Sequence, residues 1–260
     1  SIQSIAGVAM LNKLVLGEPR YLPTIIADKT TAITVVYGVL AALFARERNG
    51  HGQELEVPMF ETMVSYVMAE HLWGMTFEPP LGPPGYVRLM SIHRRPYKTK
   101  DGYVAILPYM NAHWDTFCDV TGHPELKDDP RFRTMGDRTR NIDDTYDITA
   151  QIMETRTTQE WLDLFAPTSV PINRVNTLED LATDPHLVAT GFWKTLDHPT
   201  EGPLRTTAFP VNFSGTPADV TRRHAPLLGE NTREVLEELG YASERIESLL
   251  ASGAALSAGD

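Results

Sequence analysis

The chain has 260 residues, 42% hydrophobic and 22% charged, with a formal net charge of -11. That composition suits one large globular domain or two modest ones and excludes collagen-like and disordered chains. A single cysteine, Cys118, excludes a disulfide scaffold and a cysteine-cluster metal site, and makes a reducing, cytoplasmic compartment the default.

The acid excess argues against a nucleic-acid partner, and an anionic ligand would need a local basic patch. The longest nearly apolar stretch, Ala32 to Ala45, is too short to cross a bilayer and reads as a buried helix, so no membrane partner is expected. No basic and apolar leader opens the chain. Ser1 to Gly7 read as mid-domain sequence, so the chain is expected to be a fragment of something longer.

In chain order, Ile33, Val36, Tyr37, Leu40, Leu43 and Phe44 recur at helical spacing and predict a helix over 30–48, stopped at Asn49-Gly50. Gln53 to Val57 alternates and predicts a short strand. Pro58 opens a second helix reaching about Trp73. Residues 76–95, with Glu78-Pro-Pro-Leu-Gly-Pro-Pro-Gly85, read as a linker.

Two strands are predicted around the Thr99-Lys100-Asp101-Gly102 turn. A helix through Trp114, Phe117 and Cys118 follows, with Asn111 as its cap. Further helices are predicted over about 142–154 and from Thr158. A strand follows over 171–175, then a capping box at Thr177-Leu-Glu-Asp180. Paired strands are predicted over 192–196 and 204–206, and an extended linker over 203–217. Two last helices, 231–239 and 243–250, precede a frayed tail from Ala251 to Asp260.

No phosphate loop, dinucleotide fingerprint, nucleophile elbow or zinc-helix motif is present, and the eight histidines lack ligand spacing. No metal is expected. Asp28 has two compatible readings. It is a helix N-cap ahead of the apolar helix, or a nucleophilic carboxylate held at the positive end of that helix. Arg88, His93, Arg94, Arg95, Lys98 and Lys100 read as a solvated loop or as an anion contact. Gly82-Pro-Pro-Gly85 reads as a linker bend or as a loop covering a ligand. Arg131, Arg133, Arg138 and Arg140 read as surface, and Cys118 as a packed thiol.

Four ordered blocks carry a resemblance. The first is Ala27-Asp28 with Tyr37-Gly-Val-Leu-Ala-Ala-Leu-Phe-Ala-Arg-Glu-Arg-Asn-Gly-His-Gly-Gln53. The second is Pro96-Tyr-Lys-Thr-Lys-Asp-Gly-Tyr-Val-Ala-Ile106 with Trp114, and the third Gly122-His-Pro-Glu-Leu-Lys-Asp-Asp-Pro-Arg-Phe132 with Arg138 and Asn141. The fourth runs from Val170-Pro-Ile-Asn-Arg-Val-Asn176 through Asp184-Pro-His186 and Ser214-Gly-Thr-Pro217 to Ala225-Pro-Leu-Leu-Gly-Glu230. Together they resemble the family III CoA-transferases, the CaiB/BaiF group, with this chain matching the C-terminal two-thirds of a member.

The resemblance implies an α/β fold: a Rossmann-like large domain, incomplete here, plus a smaller α+β domain. Residues 1–75 would be part of the large CoA-binding domain, 96–202 the small domain, and 218–260 helices returning to the large domain, with linkers at 76–95 and 203–217. It implies that Asp28 is the catalytic nucleophile, forming a mixed anhydride and then an aspartyl-CoA thioester. Coenzyme A and its acyl thioesters are substrates, a small carboxylic acid is the acceptor, and no tightly bound cofactor is implied. Arg88, Arg94, Arg95, Gly82 and Gly85 would contact the CoA substrate. The full-length protein would be an interlocked homodimer. The alternatives are an α-methylacyl-CoA racemase, which carries a glutamate where this chain has Met110, and a truncated, inactive chain of the same family.

Overall fold

The computed structural model describes residues 2–218 and 223–258. They form two compact units, 1–175 and 176–260. Residues 219–222, 259 and 260 of the C-terminal stretch lie outside the described residues.

The first unit opens with four helices: α1 (Ile2–Ile5), α2 (Val8–Leu16), α3 (Ile26–Asn49) and α4 (Met59–His71). Ala6, Val8, Ala27 and Met63 make a small core where α1, α3 and α4 meet. The α3 helix starts at Ile26 rather than Thr30, because the chain turns helical immediately after Ile25 and Lys29 donates its amide to the Ile25 carbonyl at 3.1 Å.

That earlier start corrects two expectations. The helix has 24 residues and a mean hydropathy of 1.4 over its most apolar window, so length and composition alone would admit a membrane crossing. Nor is it buried: Ile33, Leu40 and Phe44 are 67%, 60% and 62% exposed. The stretch Gln53 to Val57 has no regular secondary structure, so the expected strand is absent. Alternating side chains make a strand only where a neighbour pairs its backbone, and among the described residues none does.

After α5 (Val87–Met90), an antiparallel sheet forms from β1 (Tyr97–Lys98), β2 (Tyr103–Ile106) and β3 (Ile172–Arg174), in the order β1-β2-β3. Its register sets Tyr97 opposite Val104 and Ala105 opposite Asn173. Val104 and Ile106 face inward, while Tyr103 and Ala105 face out. The helices α6 (Asn111–Thr121), α7 (Met135–Arg140), α8 (Ile142–Met153) and α9 (Thr158–Phe165) complete this part. On α8, Ile142, Thr145, Tyr146, Thr149, Ile152 and Met153 are buried at three- and four-residue spacing. They join Trp114, Phe117, Cys118, Phe132, Trp161 and Phe165 in the main core.

Two local expectations fail here. Met110, not Asn111, caps α6. The Asn111 side-chain Oδ1 instead accepts from the Met135 amide at 2.9 Å and from Arg138 at 3.0 Å. Arg138 is 5% exposed, not a surface residue. It donates to the Phe132 carbonyl at 2.8 Å and its guanidinium sits over the Trp114 ring. Packing between α6 and α7 makes it a strut, which charge patterning along the chain does not reveal.

The second unit holds α10 (Leu178–Leu181), α11 (Pro185–Ala189), the hairpin of β4 (Trp193–His198) and β5 (Gly202–Thr207), α12 (Thr232–Glu238) and α13 (Ser243–Ala251). The capping box at Thr177 and Asp180 forms as expected. The tail is anchored rather than frayed as far as it is described: the Ala258 amide donates to the Gly229 carbonyl at 3.1 Å. His198 ties the hairpin to the following segment by a 2.9 Å hydrogen bond between Nε2 and the Ala225 carbonyl.

Candidate active site

Asp28 occupies the third position of α3, inside the first turn, and is not the cap. Ile25 caps the helix without a side-chain bond, so the amides of the first turn are uncapped by any side chain. The Asp28 carboxylate is exposed and has no hydrogen bond or ion pair among the described residues. Its neighbours are fixed: Ala27 packs into the small core, the Thr31 hydroxyl donates to the Ala27 carbonyl at 2.8 Å, and Lys29 Nζ donates to the Thr24 hydroxyl at 3.0 Å. The result is a free carboxylate on a rigid support, facing open space near the positive end of a long helix dipole.

A cleft of about 570 Å³ lies between α3 and α4, lined by Ile26, Lys29, Thr30, Ile33, Tyr37 and Tyr66 among others. Asp28 does not line it. At about 100° of rotation per residue, Asp28 stands roughly half a turn away from Ile26, Thr30 and Ile33.

The basic and glycine residues sit in the same unit. Leu81 donates its amide to the Gly74 carbonyl at 3.0 Å, and Gly85 donates to the His71 carbonyl at 2.9 Å. The Tyr86 amide donates to His71 Nδ1 at 3.2 Å. The loop carrying Gly82 and Gly85 is thereby pinned to the end of α4. Gly74 must be glycine, because a Cβ there would lie 2.7 Å from the Gly82 backbone.

Arg88, on α5, lays its guanidinium over the Tyr109 ring at 4.7 Å and borders a narrow pocket of about 30 Å³, together with Tyr97 and Arg138. Arg94 and Arg95 line a wider groove of about 390 Å³, at the sheet end where β1 begins and β2 finishes. Tyr97, Ile106, Leu107 and Tyr146 border both spaces. The fold thus gathers four arginines, Arg88, Arg94, Arg95 and Arg138, around one end of the sheet. Burial, then the neighbouring Tyr146, holds the Tyr97 phenol well above its ordinary range, so it stays neutral. Cys118 is buried and its thiol is pushed up to about 12, mainly by burial, which makes it inert.

Sequence reasoning missed Tyr146 and Asn173 as groove residues. The α8 periodicity was available for Tyr146. Asn173 reaches the groove only through the pairing of β3 with β2.

A sequence model described as CoA-transferase family III matches residues 1–232. The chain belongs to this family. A formyl-CoA:oxalate CoA-transferase of Afipia carboxidovorans is 26% identical over 92% of this chain and 61% of its own length. A succinyl-CoA:glutarate CoA-transferase of Mus musculus is 28% identical over 91% of this chain and 54% of its own length. The chain thus spans little more than half the length of these curated relatives. Among solved structures, Rv3272 from M. tuberculosis superposes with a TM-score of 0.70 at 22% identity, over 85% of this chain and 58% of that one. A CaiB/BaiF family protein from Brucella suis gives 0.68 at 23% identity, over 92% and 61%. These likenesses agree with the family's α/β fold.

Proposed function

We propose that the protein carrying this sequence is a CoA-transferase that moves CoA from an acyl-CoA donor to a carboxylic acid through Asp28. The observation that carries the reading is the free, exposed carboxylate in the first turn of α3, to which the resemblance assigns the role of the family's catalytic aspartate. An Asp28 oxygen attacks the thioester carbonyl, the C–S bond breaks, and CoA leaves as thiolate with a mixed anhydride in place. The thiolate attacks the aspartyl carbonyl of that anhydride, releasing the donor acid and leaving an aspartyl-CoA thioester. The acceptor carboxylate attacks that thioester and displaces CoA thiolate. The thiolate then attacks the acceptor's carbonyl, which yields the new acyl-CoA and regenerates Asp28. Each step conserves the thioester's free energy, which hydrolysis would dissipate.

A carboxylate is a weak nucleophile in water and gains from the amide dipoles at a helix start. Arg88, Arg94 and Arg95 supply anion contacts to the charged substrates, and the loop with Gly82 and Gly85 borders the CoA thioester. The reading includes the interlocked homodimer implied by the resemblance, in which the apolar face of α3 is covered. The racemase alternative is weaker, because Met110, exposed at the cap of α6, has no proton to relay. The test is trapping with acyl-CoA and hydroxylamine on the native-length polypeptide, followed by peptide mass spectrometry. A hydroxamate on Asp28 supports the reading; its absence alongside exchange of the substrate's α-proton overturns it.

A further inference from the structure

The groove at Arg94 and Arg95 combines features that together define a ligand. Both arginines line it, and among the described residues neither has an acidic partner. Two consecutive arginines lining one groove without an ion pair, in a chain of net charge -11, are a local exception to its electrostatics. The carboxamide of Asn173 adds a further polar group, set beside Ala105 by the β2–β3 register. The rest of the wall is mostly apolar, with Pro96, Ile106, Leu107 and Pro171 beside the rings of Tyr97 and Tyr146. At about 390 Å³ it has the size of a small-molecule site.

We propose that this groove binds a carboxylic acid with an apolar body. The carboxylate lies between the guanidiniums of Arg94 and Arg95, and the hydrocarbon lies along the wall of Pro96, Ala105 and Leu107. Guanidinium forks pair with carboxylates in bidentate geometry, which fixes the end of the ligand. The apolar wall rewards only an acid that has hydrocarbon to bury. A very short dianion such as oxalate would meet the cations and leave the wall unfilled. The relation to the transfer chemistry rests on the reading above, in which such an acid is donor product or acceptor; the binding itself does not.

The experiment is calorimetric titration of the 260-residue chain with octanoate, 3-phenylpropanoate and oxalate at fixed ionic strength. Octanoate and phenylpropanoate are expected to bind at least tenfold more tightly than oxalate. The double variant Arg94→Gln/Arg95→Gln is expected to weaken octanoate at least tenfold. Ala105→Phe, which fills the groove and keeps both charges, is expected to do the same. Circular dichroism confirms that each variant is folded, and Arg94→Lys/Arg95→Lys retains part of the affinity if a misfolded double variant must be set aside. Oxalate binding as tightly as octanoate overturns the proposal. So does octanoate binding unchanged in the glutamine variant, which would assign the uptake to apolar surface such as that of α3. The two readings fail separately. Octanoate binding with no trapped Asp28 and with exchange of the substrate's α-proton sinks the transfer reading alone. A trapped Asp28 with no arginine-dependent binding sinks only the groove.

Discussion

Replacing Asp28 separates chemistry from folding. The carboxylate is exposed and without a partner among the described residues, so Asp28→Asn opens no cavity and strands no buried group. What disappears is one negative charge in the first turn of α3, worth about 0.3–1 kcal/mol near an exposed helix start. In a unit of this size 1 kcal/mol moves the thermal midpoint by about 2–4 °C, so a fall of no more than about 4 °C is expected. The chemical effect is of another order. On the proposed route no anhydride forms without this carboxylate, and acyl exchange should fall by at least about a thousandfold.

Asp28→Ser is the necessary companion, because slow deamidation of asparagine would regenerate the acid. Trypsin releases Tyr21-Leu-Pro-Thr-Ile-Ile-Ala-Asp-Lys29, in which Asp28 is the sole acidic side chain, so a hydroxamate in that peptide has one address. Exchange persisting in the serine variant, or a melting point lower by more than about 10 °C, would refute the argument. The first would remove the nucleophile, and the second would make Asp28 a structural residue.

Other outcomes can be checked on the folded chain. Trp161 is 1% exposed and its indole donates to the Met153 carbonyl at 2.8 Å. Trp161→Ala should cost about 3–5 kcal/mol in lost packing and lower the midpoint by about 6–20 °C in thermal melts; a change under about 3 °C would show that the core does not depend on it. The Thr158 amide, bonded to Asp101 at 2.7 Å, holds that carboxyl below its usual range. Its folded pKa is depressed, so its contribution is present above the unfolded carboxyl pKa and is lost as pH falls through the folded one. Asp101→Asn should therefore make acid destabilisation shallower in melts taken from neutral pH downward, and an unchanged pH slope would contradict this. Cys118, buried and with its thiol raised to about 12, should resist iodoacetamide at neutral pH in the folded chain and react once it is unfolded. Stoichiometric labelling of the native chain would contradict its burial.

The family was legible in the residues before any coordinates, because the four blocks that carry it, the Asp28 string among them, are local strings. So were the helices from α6 onward that carry a clear apolar period, the β1–β2 turn at Asp101-Gly102, and the box at Thr177. Helix periodicity and capping chemistry act within a few residues, so a one-dimensional reading captures them.

Other features depended on tertiary structure. The start of α3 at Ile26 moved Asp28 from cap to first turn, because the backbone alone closes the first helical bond there. The strand expected over Gln53 to Val57 did not form, since a strand needs a paired neighbour. Arg138 turned from surface charge to buried strut through carbonyls supplied by other parts of the chain. The groove brings together Arg94, Tyr146 and Asn173, which are far apart in sequence, and only the register of β3 on β2 and the packing of α8 place them around one space. Residue order sets what each segment prefers, whereas long-range pairing and packing set which side chains meet, and it is that meeting which makes a binding site.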